Sequence, residues 1–300
     1  MYLIKRLTVF LIRLVSFLPF GLLYIKSDLL AFLLYHVVRY RHRVVMINLR
    51  RSFPDKSEAE VKSIAKKFYR NFSDLILEVI KSRSITRKQF AKRISFSNYE
   101  LLEDLFDRGK SVIVTMGHCG NWEWTPMQLE TISRYRVFAV VKPLNDPFFE
   151  AYLKKLRTRF GTRGGLIQFK NTLRTMVAQR DEMTMTIFAG DQTPTRNEIN
   201  YWTTFLNQET PVYLGIEKLA KSLDCAVVFF DIQRRKRGYY NVDISLITDD
   251  PRSTEEFEIT EKHVGMLEKA ITEHPDNWLW SHRRWKHQKG TTGNGTNPYE

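Results

Sequence analysis

The stretch from Ser111 to Trp124 constrains the fold more than any other part of the chain. It opens with an apolar run, Ser111–Val114, that is typical of a buried strand, and it ends in a segment that can form a helix. Between them lies Gly117-His118-Cys119-Gly120, whose two glycines allow a sharp turn. We therefore expect an α/β fold with a mixed central sheet flanked by helices.

The rest of the chain alternates strand patterns with helical patterns in the same way. Further strands are predicted at 135–141, 166–167, 183–188, 226–232 and 239–247, and helices at 55–81, 99–106, 148–160, around 173–177, at 211–222 and at 260–272. The last two strands are joined by the basic turn 234–238, which predicts an antiparallel hairpin.

His118 and Glu123 are the candidate catalytic residues. Five residues along one helix turn about 500°, so the two side chains converge only if His118 lies in the loop and Glu123 in the first helical turn. A near-neutral imidazole can take a proton from a hydroxyl group, and a carboxylate on its other ring nitrogen can hold the tautomer. Two alternatives stay open: a histidine that only caps a helix, and Cys119 as the nucleophile.

Other polar residues are candidates for substrate binding. Asn121 either donates a hydrogen bond to a substrate carbonyl or caps the helix. Asp191 follows a predicted strand, where the sites of α/β folds gather, although a simple β-turn explains it equally well. Cations near the second and third strands bind phosphate or an acidic carrier, or else form a solvated face; they are Lys142, Arg157, Arg159, Arg163 and Lys170.

Net charge indicates the kind of binding partner, and cysteine content indicates the redox compartment. The formal net charge of +14 favours an anionic partner, such as nucleic acid, an anionic membrane surface or an acidic protein. Two cysteines form no disulfide framework, which fits a reducing compartment. The spacing of cysteines and histidines predicts no metal site.

The N-terminal segment, residues 1–45, is predicted to be helical and membrane-associated. Residues 3–25 are mostly apolar, and on a helix their polar side chains Lys5, Arg6, Arg13 and Ser16 share an arc of about 100°. A second apolar helix is predicted at 29–38, capped by Ser27 or Asp28 and followed by several arginines. The alternatives to membrane association are a cleavable signal peptide and helices that pack on the core. If the segment is membrane-associated, a helix that spans the membrane is as plausible as helices that lie in its plane.

The C-terminal run Trp278–His287 is dense in aromatic and cationic residues. Such a run can stack nucleic-acid bases, lie at a membrane interface, or pack its tryptophans into the core, and we favour the core for the tryptophans. The polar, glycine-rich tail 288–300 is predicted to be disordered.

Five segments, taken in order, resemble the lipid A biosynthesis late acyltransferases, the lauroyl/myristoyl acyltransferase family of the lysophospholipid acyltransferase-like superfamily. Gly117–Glu123 resembles the H-x4-D/E motif of that family, and Gly190-Asp191-Gln192 its P/G-D-Q segment. Asn48–Pro54 is similar to its N-L-x-x-x-F-P segment, and Trp278–Lys286 to its W-x-H-R-R-F/W-K ending. Lys142–Pro147 is similar to its R-P-x-x-N-P turn, with lysine in place of arginine, and 168–170 reads Gln-Phe-Lys where relatives carry an arginine.

The resemblance implies an acyltransferase domain at 46–287 that moves a fatty acyl chain to a hydroxyl of a lipid A precursor or related glycolipid. The implied donor is acyl carrier protein, or acyl-CoA, and no cofactor or metal is implied. His118 would be the general base and Glu123 would orient it, at the cytoplasmic face of the bacterial inner membrane. Other readings are an acyltransferase for another membrane lipid, a thioesterase that uses water, and a basic nucleic-acid-binding protein; the leading reading involves no nucleic acid.

Overall fold

The computed structural model describes residues 2–161, 163–289 and 299 of the chain. The predicted disordered tail falls outside the described residues except for residues 288, 289 and 299, of which Tyr299 is buried.

The α-helices are α1 (Tyr2–Ser16), α2 (Phe20–Phe32), α3 (His42–Ser52), α4 (Glu58–Lys81), α5 (Arg87–Ala91), α6 (Glu100–Asp107), α7 (Trp124–Ile132), α8 (Pro147–Arg157), α9 (Thr172–Ala178), α10 (Gly215–Leu223) and α11 (Glu258–Glu273). The strands are β1 (Ile94–Ser97), β2 (Val112–Met116), β3 (Arg136–Val141), β4 (Gly165–Gln168), β5 (Thr184–Ala189), β6 (Tyr201–Phe205), β7 (Gln208–Val212), β8 (Ala226–Lys236) and β9 (Tyr239–Thr248).

A mixed sheet of seven strands forms the centre of the described chain, in the order β1-β9-β8-β2-β5-β3-β4. From β8 to β4 all neighbouring strands are parallel, whereas β9 runs antiparallel to β8 and β1 parallels β9. The predicted α/β fold and the β8–β9 hairpin are therefore confirmed. The parallel arrangement brings the carboxyl ends of β2, β5, β3 and β4 to one edge, where the candidate residues lie.

Two apolar layers cover the faces of this sheet. Along β2 the side chain of Ile113 enters one layer with α3, α4, α10 and α11, while Val112 and Val114 enter the other with α5, α6 and α7. This alternation follows from the two-residue period of a strand. Three buried tryptophans of the C-terminal run complete the first layer, which confirms the prediction that they pack into the core: Trp278, Trp280 and Trp285.

The segment before α10 differs from the sequence prediction. A helix was expected from Pro211, but residues 201–212 form the separate hairpin of β6 and β7, and α10 begins at Gly215. Leu206 and Asn207 have φ of 50° and 61°, which is typical of the tight turns that join hairpin strands. Pro211 therefore lies in a two-stranded ribbon, where the missing N–H is tolerated.

Many apolar side chains of the N-terminal helices are exposed. On α1, Ile4, Leu7 and Phe10 are at least half exposed, whereas Ser16 is fully buried and Lys5 donates to Asp146 at 2.6 Å. Lys5 and Ser16 of the polar arc thus contact the protein, whereas Arg6 and Arg13 of the same arc are exposed, as are the apolar side chains named above.

The second helix begins earlier than predicted. It starts at Phe20 and continues through one turn of π-helix, Leu33–Val37, so Ser27 is not a cap. Ser27 is instead fully buried, and its hydroxyl donates to Asp74 of α4 at 2.6 Å. The stretch Phe20–Val37 is long and apolar enough to cross a membrane, and among the described residues it is the one such helix, yet it is only 11% buried.

Candidate active site

Strand register places His118 beside Asp191. Met116 of β2 pairs with Ala189 of β5, and the two polar residues each follow their strand by two positions. His118 Nδ1 lies 2.6 Å from Asp191 Oδ1, and the His118 backbone N–H donates to Asp191 Oδ2 at 2.9 Å. The indole N–H of Trp278 also donates to Oδ2, at 2.7 Å. Asp191, predicted as a substrate contact, is therefore a buried partner of the histidine.

The contacts of His118 determine its tautomer. An ionised Asp191 accepts the Nδ1 proton, which leaves Nε2 as the acceptor, 3.2 Å from the side-chain nitrogen of Gln192. Burial lowers the pKa of His118, but the negative charge of Asp191 and its hydrogen bond offset this, so the pKa lies above its ordinary value. The pKa of Asp191 is lowered, because the His118 and Trp278 contacts outweigh burial. This dyad is suited to general-base chemistry at Nε2.

Glu123 does not make the contact predicted for it. Its carboxylate accepts two hydrogen bonds from Arg157 of α8, at 2.7 Å from Nε and 2.5 Å from Nη2. The two side chains are 16% and 21% exposed, so the ion pair is largely removed from water. Sequence proximity suggested Glu123 as the partner of His118, whereas strand pairing places the carboxylate of Asp191 at Nδ1.

Asn121 and Arg159, both predicted to bind substrate, make structural contacts instead. Asn121 is fully buried and caps α7, since its Oδ1 accepts from the Trp124 N–H at 2.9 Å. The guanidinium of Arg159 donates to the backbone carbonyls of Ser82 and Ile85, which holds the loop after α4. The cap alternative for Asn121 is thus confirmed, and Arg159 lies outside the lining of the cavity described next.

A cavity of about 990 Å³ opens at the dyad. His118, Trp122 and Glu123 line it together with many apolar side chains, including Met127, Val140 and Ile187 among others. This volume is at the upper end of small-molecule sites and suits a long apolar group with one polar end.

Charged residues line the same cavity. Lys142 and Lys170 are exposed members of its lining, and their role in substrate binding stays a prediction. Glu130 also lines it, and burial raises the pKa of Glu130 to about 7.

Cys119 is unsuited to be the nucleophile. Its side chain is buried, and burial together with the charges of Asp191 and Asp231 raises the pKa of the thiol well above its ordinary value. A thiol that stays protonated is a poor nucleophile. The alternative of cysteine chemistry is therefore disfavoured.

Three contributors to the site were given no specific role from the sequence: Arg157, Gln192 and Trp278. Arg157 was one of several cations in a cluster, and nothing in its spacing singled it out. A signal for the dyad did exist, because His118 and Asp191 each stand two residues beyond an apolar strand. Trp278 reaches Asp191 from 87 residues away, which no local pattern indicates.

Comparison with known protein families gives a match to nearly the whole chain. The sequence model of the family described as bacterial lipid A biosynthesis acyltransferase matches residues 1–287. Comparison with individually curated proteins gave no significant match. The family match spans the central sheet, the dyad, the cavity and the C-terminal tryptophans, and the resemblance seen in the motifs is confirmed. The chain belongs to the bacterial lipid A biosynthesis acyltransferase family.

Proposed function

We propose that this acyltransferase moves a fatty acyl chain from a thioester donor to a hydroxyl of a lipid A precursor or related glycolipid, with His118 as the general base. The observation that carries the proposal is the His118–Asp191 contact of 2.6 Å, with Nε2 turned away from Asp191 beside the cavity. An acceptor hydroxyl that replaces the Gln192 amide at Nε2 is positioned to lose its proton there.

The step balances with groups on this chain. The acceptor O–H gives its proton to Nε2 while its oxygen forms a bond to the thioester carbonyl carbon. The carbon–sulfur bond of the tetrahedral intermediate then breaks, and the imidazolium of His118 returns the proton to the leaving thiolate. Asp191 stabilises the imidazolium between these events. A thiolate is a good leaving group, so the base alone suffices to activate the alcohol.

The Glu123–Arg157 pair has a separate role in this proposal. Glu123 accepts from Nε and Nη2 of the guanidinium, which leaves Nη1 outside this ion pair on a residue that lines the cavity. A fixed guanidinium there stabilises the oxyanion that develops on the thioester carbonyl. Glu123 is thus the residue that holds Arg157 in place.

The lysines of the cavity suggest how the acceptor is recognised. Lys142 and Lys170 follow β3 and β4 at the same sheet edge as the dyad, and both are exposed. An ammonium group binds phosphate as a point charge, without the paired geometry of arginine. We propose that they contact the anionic groups of the lipid acceptor, and that the net charge of +14 favours acyl carrier protein, with acyl-CoA as the other donor.

The exposed apolar face of α1 and α2 supports binding to the cytoplasmic face of the bacterial inner membrane. Side chains such as Phe10, Phe17, Ile25 and Leu29 are each more than half exposed. Helix α2 is also joined to the body of the protein by buried contacts such as Ser27 with Asp74. Withdrawing α2 into a bilayer would break those contacts, so binding in the membrane plane is favoured over a span.

The test is transfer in vitro by the full chain in lipid vesicles. Acyl carrier protein and CoA thioesters are offered with a lipid A precursor, and products are identified by mass spectrometry. His118→Ala is expected to lower transfer by about 10²–10⁴-fold. His274→Ala, at an exposed histidine, is the matched control and should retain activity.

Two results would contradict the proposal. Full transfer by His118→Ala would remove the general base. Free fatty acid without acylated lipid would make water the acceptor and the protein a thioesterase in function.

A further inference from the structure

The carboxylate of Glu78 connects three parts of the chain beneath the catalytic turn, which we define as residues 117–124. Glu78 is fully buried on α4. Its Oε1 accepts from the hydroxyl of Tyr24 at 2.9 Å, and its Oε2 accepts from Asn121 Nδ2 and from the hydroxyl of Tyr240, both at 2.7 Å. The donors come from α2, from the turn after β2 and from β9.

Asn121 connects Glu78 to the backbone of the catalytic turn. While Nδ2 donates to Glu78, Oδ1 accepts from the Trp124 N–H at 2.9 Å. The same amide therefore binds α4 on one side and caps α7 on the other. Because the cap needs Oδ1 to face Trp124, the group that meets Nδ2 must be an acceptor, which a carboxylate provides.

Glu123 lies between the two residues of this cap. Asn121 and Trp124 are fixed on either side of it, and a second contact holds the indole N–H of Trp124 on Ser82 Oγ at 2.7 Å. The path of the backbone at Glu123 is thus determined by α4. The carboxylate of Glu123 in turn holds Arg157 at the cavity.

Tyr24 ties the same carboxylate to the outward-facing helix α2. Its neighbours Leu22 and Ile25 are 51% and 66% exposed, so Tyr24 lies on a helix with one side free and the other bound to α4. Two further side-chain contacts join α2 to α4 nearby: Ser27 donates to Asp74 one helical turn away, and Asp28 forms an ion pair with Arg70 at 3.2 Å.

We propose that Glu78 is a positioning residue for acyl transfer, which sets the catalytic turn through Asn121 and is itself held by Tyr24 of α2. The proposal rests on the proposed function for its kinetic readout but not for its structural one. A displacement of about 1 Å at a catalytic group can lower the rate by about 100-fold. The fold of the turn, rather than substrate affinity, is what Glu78 contributes.

The kinetic test is a double-mutant cycle on the full chain in vesicles. Glu78→Met and Asn121→Ala are each expected to lower kcat by about 10–100-fold with the KM for donor and acceptor within about twofold. The double variant should lose no more than the worse single variant, because both act through one contact. Glu78→Gln keeps an acceptor for Nδ2 and should recover most of kcat. Losses that multiply in the double variant, or a kcat unchanged in Glu78→Met, would overturn the proposal.

The link to α2 is tested with two variants that each remove one hydroxyl. Tyr24→Phe is expected to lower kcat by about 3–10-fold, since it frees one oxygen of Glu78. Ser27→Ala removes the neighbouring α2–α4 hydrogen bond without touching Glu78, and it should leave kcat unchanged. Equal losses in both variants would show that only the docking of α2 matters, and would remove Tyr24 from the proposal.

Hydrogen exchange gives a readout that needs no substrate. In Glu78→Met the amides of residues 121–125 should exchange at least tenfold faster, while those of the β2 strand stay protected. If the wild-type chain transfers no acyl group, the proposed substrates fail but this measurement still decides the role of Glu78. Unchanged exchange at 121–125 in a folded Glu78→Met chain would refute it, and Tyr24→Phe offers the same measurement if Glu78→Met does not fold.

Discussion

Replacing Asp191 by asparagine tests the dyad most directly. The substitution keeps the shape of the side chain but removes the charge that lies 2.6 Å from His118 Nδ1. Without that charge the imidazolium loses its stabilisation, and the ring can also adopt the other tautomer. We expect kcat to fall by about 10²–10⁴-fold, equivalent to about 3–5 kcal/mol in the barrier.

The pH dependence of kcat shows whether Asp191→Asn raises or lowers the pKa of His118. Asp191 raises the pKa of His118 above its ordinary value, so the wild-type base is neutral only at pH above that raised pKa. Removing the carboxylate lowers the pKa of His118, and the rise of kcat with pH should therefore move to lower pH in Asp191→Asn. The assay is kcat from pH 5 to 9 with a saturating acyl thioester and lipid acceptor, on protein whose folding is checked by circular dichroism at each pH.

Glu123→Gln is the comparison that separates the two carboxylates. The partner of Glu123 is Arg157, so kcat should fall in this variant. The pH at which kcat rises should shift less than it does in Asp191→Asn. A kcat for Asp191→Asn within threefold of the wild type would refute the dyad, as would a rise displaced to higher pH. A larger displacement in Glu123→Gln would restore Glu123 as the orienting group.

Three further outcomes are expected elsewhere in the chain. Glu130→Gln should raise the free energy of unfolding by about 1–2 kcal/mol at pH 8, after allowance for solvent screening, and by little at pH 4. Burial raises the pKa of Glu130 to about 7, so the wild-type protein loses stability as the pH rises from the ordinary pKa of a glutamate to that value, and glutamine removes this loss. Urea unfolding at the two pH values measures the difference. Gly120→Ala should lower the unfolding free energy by about 1–3 kcal/mol in the same assay, since φ is +54° and a Cβ would lie 2.8 Å from the side chain of Ile232. The double variant Phe10→Ser, Leu14→Ser should bind anionic vesicles at least tenfold more weakly in a sedimentation assay, because both side chains are more than half exposed. Binding equal to that of the wild type would place the membrane contact elsewhere.

The strand–turn–helix pattern of the sequence predicted six of the seven strands of the central sheet but not their order. Apolar runs such as Val112–Met116 mark strands by themselves, because burial on both faces demands continuous apolar residues. The neighbour of each strand depends on packing between distant segments, so the order could not be predicted. Strand β1 and the β6–β7 hairpin were missed because they are short and contain no continuous apolar run. Pro211 was assigned to a helix start because proline is common there, although it is also tolerated in a two-stranded ribbon.

Local spacing identified His118 but could not assign its partner. The five-residue distance to Glu123 made that residue the obvious candidate, whereas the actual partner Asp191 is 73 residues away. Asp191 itself was selected as a site residue, since it follows a strand end. The missing step was the register of β2 against β5, which requires knowing that these two strands are adjacent.

That register also determines when the enzyme becomes active during folding. Nothing local holds His118 and Asp191 together; the backbone ladder between β2 and β5, closed across 73 residues, does so. Closing such a loop is slow compared with forming helices, because its entropy is lost before the contacts are gained. In a refolding experiment, helical ellipticity should therefore return before transfer activity, and the time at which activity appears should report the pairing of these two strands.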